Sequence, residues 1–125
     1  MAFYDLPKKK REILVAEMQG TILAELEMQK AAKTIAYFAD ADTYIRKAAY
    51  INTGKIYFAE EALQQRVLKL LGHLFKDKYY HVRQTVVNAA GEIGKKQFDP
   101  VQYFLDTGLF DEHHTVRNAV IGSVK

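Results

Sequence analysis

Three pairs of aspartate and arginine are the residues of this chain whose types and spacing come closest to a chemical site. In each pair the aspartate lies six residues before the arginine, and a β-branched residue directly precedes that arginine. Guanidinium groups bind carboxylates through paired, charge-assisted hydrogen bonds, so the pairs could form a row of charged functional groups. The pairs are Asp40 with Arg46, Asp77 with Arg83, and Asp111 with Arg117.

Other residue types that usually carry chemistry are sparse. His113 and His114 are adjacent and should point apart on a helix or a strand, and no His-x-x-x-His spacing occurs. Ser123 is the only serine, so a Gly-x-Ser-x-Gly nucleophile motif is absent, and Gly91 to Gly94 falls in a predicted helix instead of a phosphate loop. The sequence therefore predicts no catalytic residue, no cofactor and no metal ligand.

Basic residues are in slight excess. Lysine and arginine number 18 against 15 acidic residues, which gives a formal charge of +3. Positions 8–11 form the only run of like charge, which either contacts phosphate or acidic protein or is a solvated first helical turn. Lys95 and Lys96 lie near the end of a predicted helix, where the helix dipole favours cations without any ligand.

The composition is that of one globular domain. With 125 residues, 49% of them hydrophobic, the chain can bury a core, and the absence of cysteine excludes disulfides and zinc–thiolate sites. The apolar run after the basic residues is interrupted by Glu17, so no signal-peptide core is expected, and no stretch approaches a membrane span. We expect a cytoplasmic protein without a membrane partner.

Apolar residues recur at helical spacing along most of the chain. The segment from Glu61 to Lys76 and the segment that begins at Val82 each present an apolar face, and a short turn separates them. The two segments are thus predicted to form a helical hairpin. The apolar positions are Leu63, Val67, Leu70, Leu71 and Leu74 in the first helix, and Val82, Val86, Ala89 and Ile93 in the second.

Similar hairpins are predicted on both sides of this one. Second helices should begin near Tyr44 and Thr115, and first helices should cover Gln29 to Phe38 and Pro100 to Leu109. Residues 6–26 are expected to form one further helix or a bent pair that breaks near Gly20. No strand pattern is present, so the predicted fold class is all-α.

The repeated pairs lie 37 and 34 residues apart, and this period is typical of stacked helical hairpins that share one core. The spacing of aspartate and arginine, the β-branched residue before the arginine and the small residues after it resemble HEAT repeats. This resemblance implies an α-solenoid of about three to three and a half repeats. The expected boundaries are an N-terminal helical cap at 1–28 and repeats at 29–58, 61–96 and 99–125.

The resemblance also implies a structural role for the charged pairs. In HEAT repeats the matching aspartate accepts backbone N–H groups near the start of the second helix, and the arginine pairs with the aspartate of the neighbouring unit. Repetition in every unit suits a scaffold better than a single active site. We therefore expect a structural ladder, in which Arg83→Ala lowers the thermal stability.

The second helices should line the concave side of such a solenoid. On the helical wheel, the ridge opposite the core is small, polar and weakly basic, and its glycines would let a partner's backbone approach closely. The alternative is that this face is simply solvated. The ridge comprises Lys47, Ile51, Gly54 and Phe58, then Gln84, Asn88, Gly91 and Lys95, then Asn118, Gly122 and Lys125.

Two functions follow from these features. The first is a non-enzymatic HEAT-type interaction module that binds a macromolecular partner, expected to be a protein, on its concave face. The second is nucleic-acid binding, because the chain is similar in outline to the HEAT-like DNA alkylation repair proteins, which excise damaged bases. Those enzymes use tryptophans, and this chain has none. Its Tyr44, Tyr79 and Tyr80 would either stack on a base or cap the core.

The C-terminal end carries a separate expectation. The last predicted helix would expose Val116, Val120 and Val124, because no further unit follows to cover them. Either the chain is a fragment of a longer solenoid or this end self-associates. In the second case the measured mass should depend on concentration.

Overall fold

A computed structural model describes residues 2–123, and the regular secondary structure of this part of the chain is all helical. It contains no β-strand, and none of its helices combines the length and apolar character needed to cross a bilayer. Three 3-10 helices cover Phe3–Asp5, Glu61–Leu63 and Asp99–Val101. The α-helices are α1 (Lys8–Met28), α2 (Ala32–Phe38), α3 (Thr43–Ala59), α4 (Gln64–Leu74), α5 (Tyr80–Gly94), α6 (Gln102–Gly108) and α7 (His114–Ser123).

Helix α1 is continuous, which confirms the first of the two predicted alternatives, a single helix, over a bent pair that breaks near Gly20. Glycine lowers helix propensity by about 1 kcal/mol, which packing of the helix can offset. The helix ends at Gln29, whose backbone is left-handed with a φ of 55°, and Lys30 N donates to Glu25 O at 2.8 Å. This arrangement matches the Schellman motif that glycine usually closes. The apolar residues Met18, Ile22 and Leu26 of α1 face the core.

The predicted pairs of helices are present. Residues 29–58 contain α2 and nearly all of α3, residues 61–96 contain α4 and α5, and residues 99–123 contain α6 and α7. The first helices are short, since α2 and α6 have seven residues each. Helices α4 and α6 are each preceded by a 3-10 turn, so they begin a few residues later than the apolar spacing predicts.

Helix α5 lies at the centre of the packing. It contacts α3 on one flank and α7 on the other, and it also packs on α2, α4 and α6. Its predicted apolar face is buried in full, because Val82, Val86, Ala89 and Ile93 are each at most 1% exposed. Val87 and Ala90 on the flanks are buried as well. The helix is therefore enclosed on more sides than an amphipathic pattern alone indicates.

The C-terminal valines are buried, which corrects the expectation of an exposed apolar end. Val116 and Val120 of α7 belong to the central core, together with Phe104 and Leu105 of α6. Helix α7 packs on α5 and α6, so these earlier helices cover the two valines. Val124 lies outside the described residues. The two buried valines therefore give no support to self-association or to missing repeats at this end.

Two glycines of the predicted open ridge are also buried. A Cβ atom on Gly54 would lie 3.0 Å from Glu92 Cβ, and a Cβ atom on Gly91 would lie 2.6 Å from Ser123 Cβ. Each glycine thus lets the next second helix of the same chain approach closely. The prediction that these two positions leave room for a partner's backbone is wrong. Gly122 is exposed and has open space around it.

We expect opposite effects from adding a methyl group at two helical glycines. Gly91→Ala should lower the free energy of unfolding by about 1–2 kcal/mol, because Ser123 cannot be avoided without moving α7. Gly20→Ala should raise it by about 0.5–1 kcal/mol, since nothing lies near that position and alanine favours the helix. Urea titrations of both variants measure the difference. A stabilising Gly91→Ala would contradict the close packing of α5 on α7.

Candidate interaction surface

The three repeated arginines make the same local contact. In each unit Arg Nη1 donates to the backbone carbonyl of the aspartate six residues earlier. The distances are 2.5 Å from Arg46 to Asp40, 2.9 Å from Arg83 to Asp77, and 2.7 Å from Arg117 to Asp111. The arginine near the start of each second helix thereby fixes the backbone of the turn that precedes that helix.

The three aspartates also share a contact. Each Oδ1 accepts the backbone N–H two residues later, at 2.8 Å for Asp40, 2.8 Å for Asp77 and 2.9 Å for Asp111. This is the hydrogen bond of an Asx turn, which leads the chain into the second helix. In the first unit the helix cap itself is Asp42, whose carboxylate accepts from Tyr44 N at 2.8 Å.

Among residues 2–123, one of the three repeated arginines forms an ion pair with the aspartate of the next unit. Arg83 Nε and Nη2 donate to the two carboxylate oxygens of Asp111 at 2.9 and 3.1 Å, and both side chains are about 10% exposed. Burial alone would raise the pKa of Asp111, but the hydrogen bonds from Arg83 and His113 N lower it. The structure brings no carboxylate of residues 2–123 within 4.0 Å of Arg46 or Arg117, so the expected contact from Arg46 to Asp77 is missing.

Fewer residues are exposed on the face formed by α3, α5 and α7 than the helical wheel predicts. Lys47, Lys95, Asn118 and Gly122 are exposed, whereas Ile51, Phe58, Gln84 and Asn88 are half-buried. Lys95 Nζ lies 2.6 Å from Glu92 Oε2, so the Glu92 carboxylate partly neutralises its charge. Lys125 lies outside the described residues. The polar strip over α5 therefore offers little free charge to a partner.

A cleft lies between α1 and α3, next to this face. It consists of two adjoining depressions of about 440 and 180 Å³, and we call it the α1/α3 cleft. Lys8 and Arg11 of the N-terminal basic run line one part, Lys47 and Ile51 line the other, and Lys55 lines both. The structure thus brings together basic residues that are far apart in the sequence.

The N-terminal segment forms one wall of the cleft. Phe3 is buried, and its backbone N–H donates to Asp42 Oδ2 at 2.7 Å, a contact that lowers the pKa of Asp42. Tyr4 then stands at the opening, 58% exposed. Below it, Asn52 Nδ2 donates to Val15 O at 3.2 Å and so joins α3 to α1.

Aromatic and cationic side chains meet at the mouth of the cleft. The ring of Tyr4 packs edge-on against that of Tyr44 with centroids 4.4 Å apart, and the Arg11 guanidinium lies 4.7 Å from the Tyr4 ring centroid. Arg11 Nη1 also donates to Leu6 O at 2.7 Å, which fixes its position. The cleft therefore presents positioned rings beside positive charge.

The cations of the α1/α3 cleft lack acidic partners. The ion pairs found within residues 2–123 involve only Arg83 and Lys95, so Lys8, Arg11, Lys47 and Lys55 have no carboxylate within 4.0 Å. Glu12 is the single acidic residue of the lining. An anionic ligand in this cleft would meet a net positive charge in a partly apolar setting.

Tyr80 and His113 belong to the packing around the turns that precede α5 and α7. Tyr80 stacks on His113 with ring centroids 3.7 Å apart, and His113 Nδ1 accepts from Thr115 N at 3.2 Å at the start of α7. Burial and the charges of His114 and Arg83 lower the pKa of His113. The rings of His113 and His114 lie side by side with centroids 4.7 Å apart, which corrects the expectation that they point apart.

Sequence reasoning missed part of the cleft. It singled out Lys47, Ile51 and the basic run, but not Tyr4, Asn52 or Lys55. An apolar Phe3 ahead of the basic run was a weak signal that the N-terminus folds onto the domain. Asn52 follows a predicted exposed residue and is instead buried, because α1 covers that side of α3.

Comparison with known proteins adds no assignment: no family model matches the chain, and no curated protein or solved structure matches it either.

Proposed function

We propose that the chain is a HEAT-like α-solenoid. Three helical pairs follow one another, and the second helices α3, α5 and α7 contact in sequence. In each turn the arginine donates to a backbone carbonyl and the aspartate carboxylate accepts a backbone N–H. These repeated contacts support one structural unit used three times, with α1 as the cap that covers the first. In this arrangement the repeated aspartates and arginines have a structural role.

We propose further that the protein is a non-enzymatic interaction module that binds an acidic segment of a partner protein in the α1/α3 cleft. The observation that carries this proposal is the set of four unpaired cations around exposed rings and apolar side chains. Val15, Ala48 and Ile51 in the lining suit the apolar residues of a peptide, and Tyr4 and Tyr44 are large, rigid contacts of the kind common at binding hot spots.

Defined peptides test this proposal. Labelled 15-residue peptides that alternate glutamate with leucine or phenylalanine should raise the fluorescence anisotropy on binding. The double variant Lys47→Glu, Lys55→Glu should weaken binding about tenfold, because two attractive charges become repulsive. The double variant Lys76→Glu, Lys78→Glu changes the net charge equally at exposed residues outside the cleft, and it should bind as the parent does.

Equal weakening by both double variants would reduce the effect to net charge and would contradict a specific site. Failure of every peptide to bind at low salt would do the same. The Tyr4→Ala variant adds an uncharged test, since loss of its ring should weaken binding at all salt concentrations if the cleft holds the peptide.

Nucleic-acid binding is the second candidate, and the same cleft favours it through a different feature. Tyr4 and Tyr44 could stack on bases while Lys8, Arg11, Lys47 and Lys55 contact phosphates. A labelled duplex with and without an alkylated base, titrated over a salt series, distinguishes the candidates. Four phosphate contacts predict a slope of log K against log salt of about −3 to −4. A flat or absent response rejects this alternative.

A further inference from the structure

A second basic pocket lies at the other end of α1. It has a volume of about 290 Å³ and is enclosed by the turn between α1 and α2 on one side and by α4 on the other. The polar lining includes Lys30, Arg66, Lys69 and His73, and the apolar lining includes Leu26 and Leu70. It shares no lining residue with the α1/α3 cleft. We call it the α1/α4 pocket.

Arg66 is held in place by the end of α1. Its Nη1 donates to Leu26 O at 3.2 Å, which also accepts from Gln29 N, and to Glu27 O at 2.8 Å, a carbonyl at the helix end that needs a partner outside the helix. The positive charge also offsets the negative end of the helix dipole. Within residues 2–123, Nε and Nη2 of Arg66 make no hydrogen bond. Two donors of a fixed guanidinium thus remain for a ligand.

The α1/α4 pocket has no negative charge of its own. Its lining contains no aspartate or glutamate, and no carboxylate of residues 2–123 lies within 4.0 Å of Lys30, Arg66 or Lys69. The backbone at Lys30 is fixed by its N–H bond to Glu25 O, and Lys69 extends from α4 on the facing side. Three cations therefore surround one small concavity without compensation.

We propose that the α1/α4 pocket binds a phosphate monoester. A planar guanidinium with two available donors and two flexible ammonium groups match the charge and the oxygen atoms of a phosphate dianion. Leu26 and Leu70 offer an apolar surface for the organic group that the phosphate carries. The volume is near the lower end of the range for small-molecule sites, which suits a small ester.

Phenyl phosphate is the probe, measured by calorimetry and by amide chemical shifts on the full chain. We expect a dissociation constant below about 1 mM, with the largest shifts around Lys30 and Lys69, and weaker binding of inorganic phosphate, which lacks the apolar contact. The double variant Lys30→Gln, Lys69→Gln should weaken binding about tenfold. The double variant Lys9→Gln, Lys76→Gln removes the same charge elsewhere and should leave binding unchanged.

Absence of saturable binding up to about 10 mM, or equal weakening by both double variants, would overturn the proposal. Arg66→Lys tests the guanidinium while it keeps the charge, and its thermal stability is measured alongside. A short phosphotyrosine peptide compared with free phenyl phosphate identifies the source of the phosphate. Tighter peptide binding indicates a phosphorylated protein, and equal or weaker binding indicates a free small molecule.

Discussion

The Arg83→Ala variant should lose about 3 kcal/mol of folding free energy and melt roughly 10 °C or more below the parent. The guanidinium of Arg83 donates to both oxygens of Asp111 and to the carbonyls of Asp77 and Lys78. The Asp111 side chain is about 10% exposed in the parent, and removing Arg83 takes away its cation. The cost is large because that charge stays desolvated. Thermal and urea denaturation measure the loss.

Arg117→Ala is the matched control for Arg83→Ala. Arg117 occupies the equivalent position of the last unit and makes the same contact to its own aspartate, but it has no carboxylate partner within residues 2–123. It should cost about 1 kcal/mol, the value of an ordinary hydrogen bond. In a double-mutant cycle, Arg83→Ala and Asp111→Ala should couple by about 2 kcal/mol. An unchanged melting temperature for Arg83→Ala would refute the structural role of the pair.

The Glu25→Ala variant should cost a similar amount, about 2–3 kcal/mol, although nothing in the repeat pattern marks this residue. Glu25 is 7% exposed, and its carboxylate accepts hydrogen bonds from Lys33 N at 3.0 Å and from Thr34 N and Oγ1 at 2.7 Å each. A side chain of α1 thus caps the N-terminus of α2, where the residue before the helix is Ala31 and offers no cap. Chemical denaturation measures the loss.

Glu25 should also make stability depend on pH. Burial alone would raise the pKa of Glu25, but the hydrogen bonds from Lys33 N and from Thr34 lower it below the usual value of 4.5. A carboxyl whose pKa is lowered by folding stabilises the protein above the unfolded pKa. That contribution is complete at neutral pH and is lost as the pH falls below about 4.5 and through the folded pKa.

Two controls separate the cap from a general charge effect. Glu27 lies two residues after Glu25 on α1, and its side chain is exposed. Glu27→Gln removes this charge and should change the free energy of unfolding by less than about 0.5 kcal/mol. Glu25→Gln keeps the shape and an acceptor oxygen but not the charge. It should fall between parent and Glu25→Ala at pH 7 and should lose the acid-dependent component. Equal stability of Glu25→Ala and Glu27→Gln would contradict the capping role.

Hydrophobic periodicity identified the helices and much of the core. The steps of three and four residues in α4 and α5 correctly marked Val67, Leu71, Val82 and Val86 as buried. Periodicity succeeded there because one face of each helix packs against neighbouring helices. It failed at Gly54 and Gly91, since it cannot show that the flanks of a second helix are covered by the preceding and following second helices.

The candidate sites could be predicted from the sequence only in part. Lys47 and the N-terminal basic run were identified separately, but no local pattern indicated that they share a cleft with Lys55. The α1/α4 pocket was not anticipated, because Lys30 lies in the turn after α1, Lys69 lies on α4, and the two are far apart in the sequence. A cluster of charges of this kind arises only when two helices pack at a particular distance and rotation.

The sequence by itself determined the helical class, the order of the helices and the recurrence of aspartate and arginine, because these depend on residues within one turn or one hairpin. Only the tertiary structure decided which arginine has a carboxylate partner, that Glu25 caps α2 and where unpaired cations collect. Those features depend on the placement of whole helices, and that placement results from side-chain packing between segments distant in the chain.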